Sequence, residues 1–257
     1  MLLEDAGIST ALTITPGQIV SVTGDRSLPE APLWGSGTFS VQERGSLVLN
    51  YVTIESDLTV LGGGGLTLQA SAMSGAVTVT DGVLTVLSSS LSSDLSVSGG
   101  STASLTGCTG QLTGLTVTDS AFSMDASLTI TLGGSISLTN SGAVTLQDKT
   151  FEDGTSLTVG GGTQLSLSGC SLGSSTITMN SGGSLSLASM AVPANVLRAA
   201  EVQLSGAGSS IQLSAVTMPE APAVGKLSGT MTVEADGSKT SDPPRTGRGR
   251  PRRLWLL

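Results

Sequence analysis

Four groups of residues in this 257-residue chain have chemistry available to them: two cysteines, scattered carboxylates, paired threonines and a run of arginines near the end. Histidine is absent. Its absence excludes Ser-His-Asp and Cys-His catalysis, which need an imidazole base, and removes the commonest zinc ligand. Gly169-Cys170-Ser171-Leu172-Gly173 matches the G-x-S-x-G pattern of a hydrolase nucleophile elbow. With no base and no strand-to-helix step after it, the match reads as a corner. The Gly62 to Gly65 run is no phosphate loop, because no G-x-x-x-x-G-K-[ST] occurs and no helix follows. No N-x-[ST] glycosylation site occurs either.

The carboxylates Asp57, Asp81, Asp94, Asp119, Asp125, Asp148 and Asp153 stand singly. A polysaccharide lyase or hydrolase would gather such groups to hold calcium or to act as acid and base. The candidate cluster is Asp119, Asp125, Asp148, Glu152 and Asp153 with Lys149. Against it, Asp81-Gly82 and Asp153-Gly154 have the composition of plain turns. The Thr-x-Thr steps Thr13/Thr15, Thr78/Thr80, Thr116/Thr118 and Thr129/Thr131 put both hydroxyls on one side of a strand, since residues i and i+2 share a face. Stacked, they would make an outward threonine array able to bind glycans, matrix, another solenoid or ice. Arg248-Gly249-Arg250-Pro251, with Arg252 and Arg253, has the core of a minor-groove-binding hook. Residues 1–240, with 18 acidic and 6 basic side chains, repel phosphate, so nucleic acid is not an expected partner.

What positions these groups is set by an unusual composition. Ser, Thr and Gly number 41, 32 and 35, about 42% of the chain, whereas aromatics make up 2% and charged residues 12%. So little charge beside 38% hydrophobic residues argues against a disordered chain, and so few aromatics argue against an ordinary globular domain. Gly pairs punctuate a repeat. Gly64-Gly65 is followed by Leu66-Thr67-Leu68, Gly161-Gly162 by Leu165-Ser166-Leu167, and Gly182-Gly183 by Leu185-Ser186-Leu187. Period-two alternation marks strands with one buried face. The unit reads as a strand, a small-residue corner, a second strand and a turn, recurring every 18 to 21 residues. Between 103 and 144 the register is blurred. Short strands at this interval with no helical spacers (one weak helical stretch lies near 193–202) predict a β-solenoid rather than a hairpin sandwich.

The Gly-Gly-x-Leu-x-Leu unit, as in Gly182-Gly183-Ser184-Leu185-Ser186-Leu187, resembles the repeats of parallel β-helix proteins. These are the pectin-lyase-like superfamily and the passengers of autotransporter and haemagglutinin-like adhesins. The resemblance covers about residues 45–218 and is one of pattern. It implies an all-β, single-stranded parallel β-helix, right-handed by the general twist preference, of eight to ten coils of about 20 residues.

The remaining expectations follow from that frame. Residues 1–44 form an N-terminal coil and cap, 45–218 the repeats, 219–240 a last coil or cap, and 241–257 a disordered basic tail. Cys108 follows Leu105, and Cys170 follows Leu167, by three residues, as Ser71 follows Leu68 and Met190 follows Leu187. All four therefore occupy equivalent inward corners. Three coils separate the cysteines by roughly 14 Å at the strand spacing, beyond the roughly 7 Å a disulfide spans. Two free, buried thiols are expected, and no cofactor. Met1-Leu2-Leu3-Glu4-Asp5 lacks the charge and apolar run of a signal peptide, and no apolar run approaches the roughly 20 residues of a membrane helix. The chain is read as a non-enzymatic structural or adhesive piece of a larger surface or secreted protein, its own compartment unassigned. A carbohydrate-active enzyme is the alternative, and an ice-binding protein the third reading.

Overall fold

The structure, a computed structural model, describes residues 12–24, 32–34, 39–126, 129–180, 182–190, 202–204, 210–214 and 230–234. Among them there is no helix. Parallel strands about 20 residues apart stack into a β-solenoid of about eight turns.

Each complete coil runs over three faces. Face A is built from Leu12–Ile14, Phe39–Val41, Leu58–Leu61 and Val77–Thr80, then the second halves of Ser90–Ser98, Thr109–Thr118 and Thr129–Thr139. Ser156–Val159, Thr176–Met179 and Val202–Leu204 complete it. Face B is built from Ile19–Thr23, Ser46–Asn50, Gly65–Gln69, Val83–Leu87, Thr102–Thr106 and Ala121–Met124, and resumes with Gly142–Gln147, Thr163–Ser168, Ser184–Ala188, Ser210–Ser214 and Thr230–Glu234. Face C is short: Pro32–Trp34, Thr53–Ile54, Ala72–Met73, the first halves of the three long strands, and Thr150–Phe151. Its strands hold two to four residues in most coils, too few for alternation to show. That is why a two-strand unit is all that the periodicity reveals.

The period-two pattern becomes ladders. On face A, Phe39, Leu58, Val77, Leu95, Leu115, Ile136, Leu157 and Ile177 lie in one inward column, and Val41, Val60, Val79, Val97, Val117, Leu138, Val159 and Met179 in another. All are buried. Face B answers with Leu47, Leu66, Leu84, Ala103 and Phe122, beside Leu49, Leu68, Val86, Leu105 and Met124. Burying one such side chain stabilises by about 1.5–3 kcal/mol. A lone coil leaves both of its edges open, so the core closes only by stacking.

Corners need a break in the alternation. Between faces B and C, Tyr51, Ala70, Ser88, Asp148 and Ser189 take left-handed φ values of 47 to 54°. Each such residue costs about 1 kcal/mol and reverses the pleat. The residue that follows therefore points inward: Val52, Ser71, Ser89, Lys149 and Met190, with Cys108 and Cys170 in the same slot. Buried hydroxyls there do the work of a main-chain ladder. The Val52 N–H donates to Ser71 Oγ at 3.2 Å and the Ser71 N–H to Ser89 Oγ at 3.1 Å. Between faces A and B, the Gly82 N–H donates to Ser101 Oγ, the Ser101 N–H to Ser120 Oγ, and the Ser141 N–H to Thr163 Oγ1. Without these hydroxyls each buried N–H would stand unpaired, at about 1–3 kcal/mol.

Candidate functional surface

Among the described residues, the outward column of face A is a regular chemical feature that runs through nine coils. Strand register aligns Thr13, Ser40, Thr59, Thr78, Ser96, Thr116, Ser137, Thr158 and Thr178, one per coil. The coil rise spaces them about 4.8 Å apart. Two residues along each strand lies a second column: Leu61, Thr80, Ser98, then Thr118 beside Thr139. Within it Thr80 Oγ1 and Ser98 Oγ are hydrogen-bonded at 3.2 Å. On the other flank Ser135, Ser156 and Thr176 stack.

The Thr-x-Thr steps divide between two faces. Thr78/Thr80 and Thr116/Thr118 stand in the two columns of face A, and Thr13 extends the first. Thr15 lies just past the strand Leu12–Ile14. Thr129 and Thr131 are on face C instead, opposite Thr109, Gln111 and Thr150. Alternation places two residues on the same side of a strand, but it does not say which of three faces that strand joins. Ser40, Ser96 and Ser137 complete the face A column without any Thr-x-Thr step; their signal in the sequence is only the small hydroxyl residue between the two aliphatics of each first strand.

Charge avoids the faces. Between residues 39 and 190 every charged residue falls at a corner. The candidate carboxylate cluster is split accordingly. Asp119 sits between faces A and B, Asp125 and Asp148 between B and C, and Glu152 and Asp153 between C and A. Several carboxylates clip one coil to the next. Asp57 Oδ1 accepts the Ala76 N–H at 2.8 Å, and Asp119 Oδ1 accepts Asn140 Nδ2 at 2.6 Å. Asp94 accepts the Thr113 hydroxyl, and Asp153 accepts both the N–H and the hydroxyl of Ser174 at 2.9 and 3.0 Å. The two bonds from Ser174, the main-chain one foremost, hold the Asp153 carboxyl below its ordinary range. Among the described residues no three of Asp, Glu and Cys converge in a manner suited to a metal ion.

Cys108 and Cys170 are buried and free. Each thiol has two carbonyls within reach of its single S–H, Val86 and Thr106 for Cys108 and Leu146 and Ser168 for Cys170. Burial pushes both thiols above their ordinary range, so neither is an activated nucleophile. Gly169 to Gly173, the elbow-like stretch, is a corner followed by a one-residue bridge, Ser171 to Thr150. Lys149 points inward with 1% of its surface exposed, and burial pulls its ammonium below the usual lysine range.

Fold and surface together define the class: the chain is a parallel β-solenoid. No protein-family model, curated protein or solved structure matches it. Residues 191–201, 215–229 and 235–257 fall outside the described residues, and with them most of the terminal region 219–240 and the arginines Arg248, Arg250, Arg252 and Arg253. So does most of the weak helical stretch near 193–202, whose end, Val202, lies in a strand paired with Ile177–Met179. No described helix is long and apolar enough to cross a membrane.

Proposed function

We propose that the chain is a non-enzymatic structural and adhesive solenoid, a segment of a larger surface or secreted repeat protein of the autotransporter-adhesin and pectin-lyase-like kind. Its contact surface is face A. The observation that carries this reading is the uncharged column of nine hydroxyls from Thr13 to Thr178, with acidic groups confined to the corners. Such a face offers many weak hydrogen bonds in a fixed repeat and repels no neutral partner. The ligand it suits is an ordered, uncharged, hydroxyl-rich polysaccharide. A catalytic reading has less support, since the carboxylates lie at three different corners and several are engaged by the adjacent coil.

The test is co-sedimentation of the whole protein with crystalline cellulose and chitin, against a soluble uronic-acid polymer as the anionic control. Binding to an uncharged solid that is unchanged by salt supports the reading, because no ion pairs are screened. Replacing Thr78, Thr116 and Thr158 together by Lys should abolish it. Salt-sensitive binding to the uronic polymer alone, or its cleavage, would favour the enzyme.

Ice is a second reading, favoured by the in-register pairs Thr78/Thr80 and Thr116/Thr118. Thermal hysteresis lost in Thr78→Leu and Thr116→Leu supports it. Hysteresis that survives both, or none in the wild type, removes it.

A further inference from the structure

Among the described residues, every coil-to-coil step on face B is a hydrogen-bonded parallel ladder except one. The sheet that begins with Ile19–Thr23 ends at Ala121–Met124, and a new sheet begins at Gly142–Gln147, directly beyond it. These two strands pack together without ladder pairing. At the same step the other faces are continuous. On face A, Leu115 to Thr118 pair with Ile136 to Thr139, and on face C, Thr131 and Leu132 pair with Thr150 and Phe151.

The sequence supplies causes for the gap. Counted to register-matched positions of face C, the path from the last inward residue of face B takes six residues from Leu105 to Gln111, seven from Met124 to Thr131 and four from Leu146 to Thr150. Of the inward residues of the lower strand, Phe122 is much bulkier than Ala103 beneath it, while Met124 is an unbranched, flexible side chain of about the volume of Leu105. Met124, at 8% exposure, is the least buried member of the core.

Lys149 spans this gap. It fills the inward corner slot that other coils give to Ser71, Ser89, Cys108, Cys170 and Met190. Its Nζ reaches back across the unpaired step to donate to the Ala126 carbonyl at 3.3 Å. Asp125 below and Asp148 above are close enough to favour its charge, and the Cys170 thiol lies on the next coil.

We propose that the solenoid is jointed at this step. Face B opens as a wedge between Ala121–Met124 and Gly142–Gln147, hinging on the unbroken ladder of face A, and Lys149 is the latch. Opening would bend the rod and bare two strand edges, which is how a stiff repeat protein yields at one chosen place rather than along its length.

Hydrogen–deuterium exchange of the full chain tests the joint. Amides that face the unpaired step, those of Phe122, Met124, Ala143, Thr145 and Gln147, should exchange at least about tenfold faster than the ladder-bonded amides of 102–106 and 163–168, the paired steps on the same face. Lys149→Met, which puts into this slot the side chain found at position 190, should speed exchange at the joint several-fold and leave 58–61 and 77–80 unchanged. Protection of the Phe122, Met124, Ala143, Thr145 and Gln147 amides equal to that of the paired steps overturns the joint, and needs no variant. Exchange in Lys149→Met at or below the wild-type rate overturns the latch.

Discussion

Two demands on a corner glycine, close approach to the next coil and a left-handed backbone, separate cleanly in this fold. Gly75 has an ordinary φ, but a Cβ built on it would overlap the carbonyl of Ser56 in the preceding coil. Gly154 has φ of +81° with open space around the Cβ position. Gly134 has both constraints, φ of +61° and a Cβ that would overlap the Thr113 carbonyl. Replacing glycine by alanine stabilises by about 0.4–1 kcal/mol through the unfolded chain, wherever the folded state accepts the methyl. The left-handed cost of about 1–2 kcal/mol in Gly154→Ala nearly cancels that gain, so its stability should fall by about 1 kcal/mol or less. Gly75→Ala has no conformational cost, so overpacking against a rigid neighbouring coil, about 1–3 kcal/mol less the same gain, leaves a net loss of about 0.5–2.5 kcal/mol. Gly134→Ala combines the two, for about 2–4 kcal/mol. Urea unfolding of the three variants, followed by far-ultraviolet circular dichroism, should rank their midpoints Gly154→Ala, then Gly75→Ala, then Gly134→Ala. A Gly75→Ala midpoint at or above that of Gly154→Ala would refute the claim that coil spacing, rather than turn conformation, constrains these positions.

Three further outcomes are expected. Ser101→Ala removes the hydroxyl that accepts the buried Gly82 N–H and should cost about 1–3 kcal/mol in urea unfolding, whereas Cys108→Ser, which keeps a donor where Ser71 and Ser89 already serve, should cost less than about 1.5 kcal/mol. Both thiols should resist a disulfide-exchange reagent in the native protein and react once it is unfolded; a fast native phase would show the corner to be open. Asp153, whose carboxyl is held low by Ser174, adds stability that is full above its unfolded pKa of about 3.9 and is lost as pH falls through the lower folded value. Ser174→Ala, which removes the hydroxyl but keeps the main-chain N–H bond, should bring its carboxyl resonance titration only part of the way back up toward that value.

The amino-acid order alone determined the repeat, its length near 20 residues, the all-β class and the inward aliphatic ladders. Each of these is local: alternation of Leu185, Ser186 and Leu187 is readable because successive side chains of a strand must point to opposite sides. The corner equivalence of Ser71, Cys108, Cys170 and Met190 was legible for the same reason, as a constant offset from the preceding leucine. Tertiary structure alone decided which strand joins which face. That choice sends Thr116 and Thr118 to face A but Thr129 and Thr131 to face C, and it completes the hydroxyl column with Ser40, Ser96 and Ser137. It also turned serines that composition would place outside into buried acceptors at the corners, where a hydroxyl reaches an N–H in the neighbouring coil that no main-chain carbonyl meets. Lys149 marks the limit of the local reading. In sequence it is one more polar residue after an aspartate. Only the stacking of coils, with one step of face B left unpaired, draws its ammonium inward to the Ala126 carbonyl.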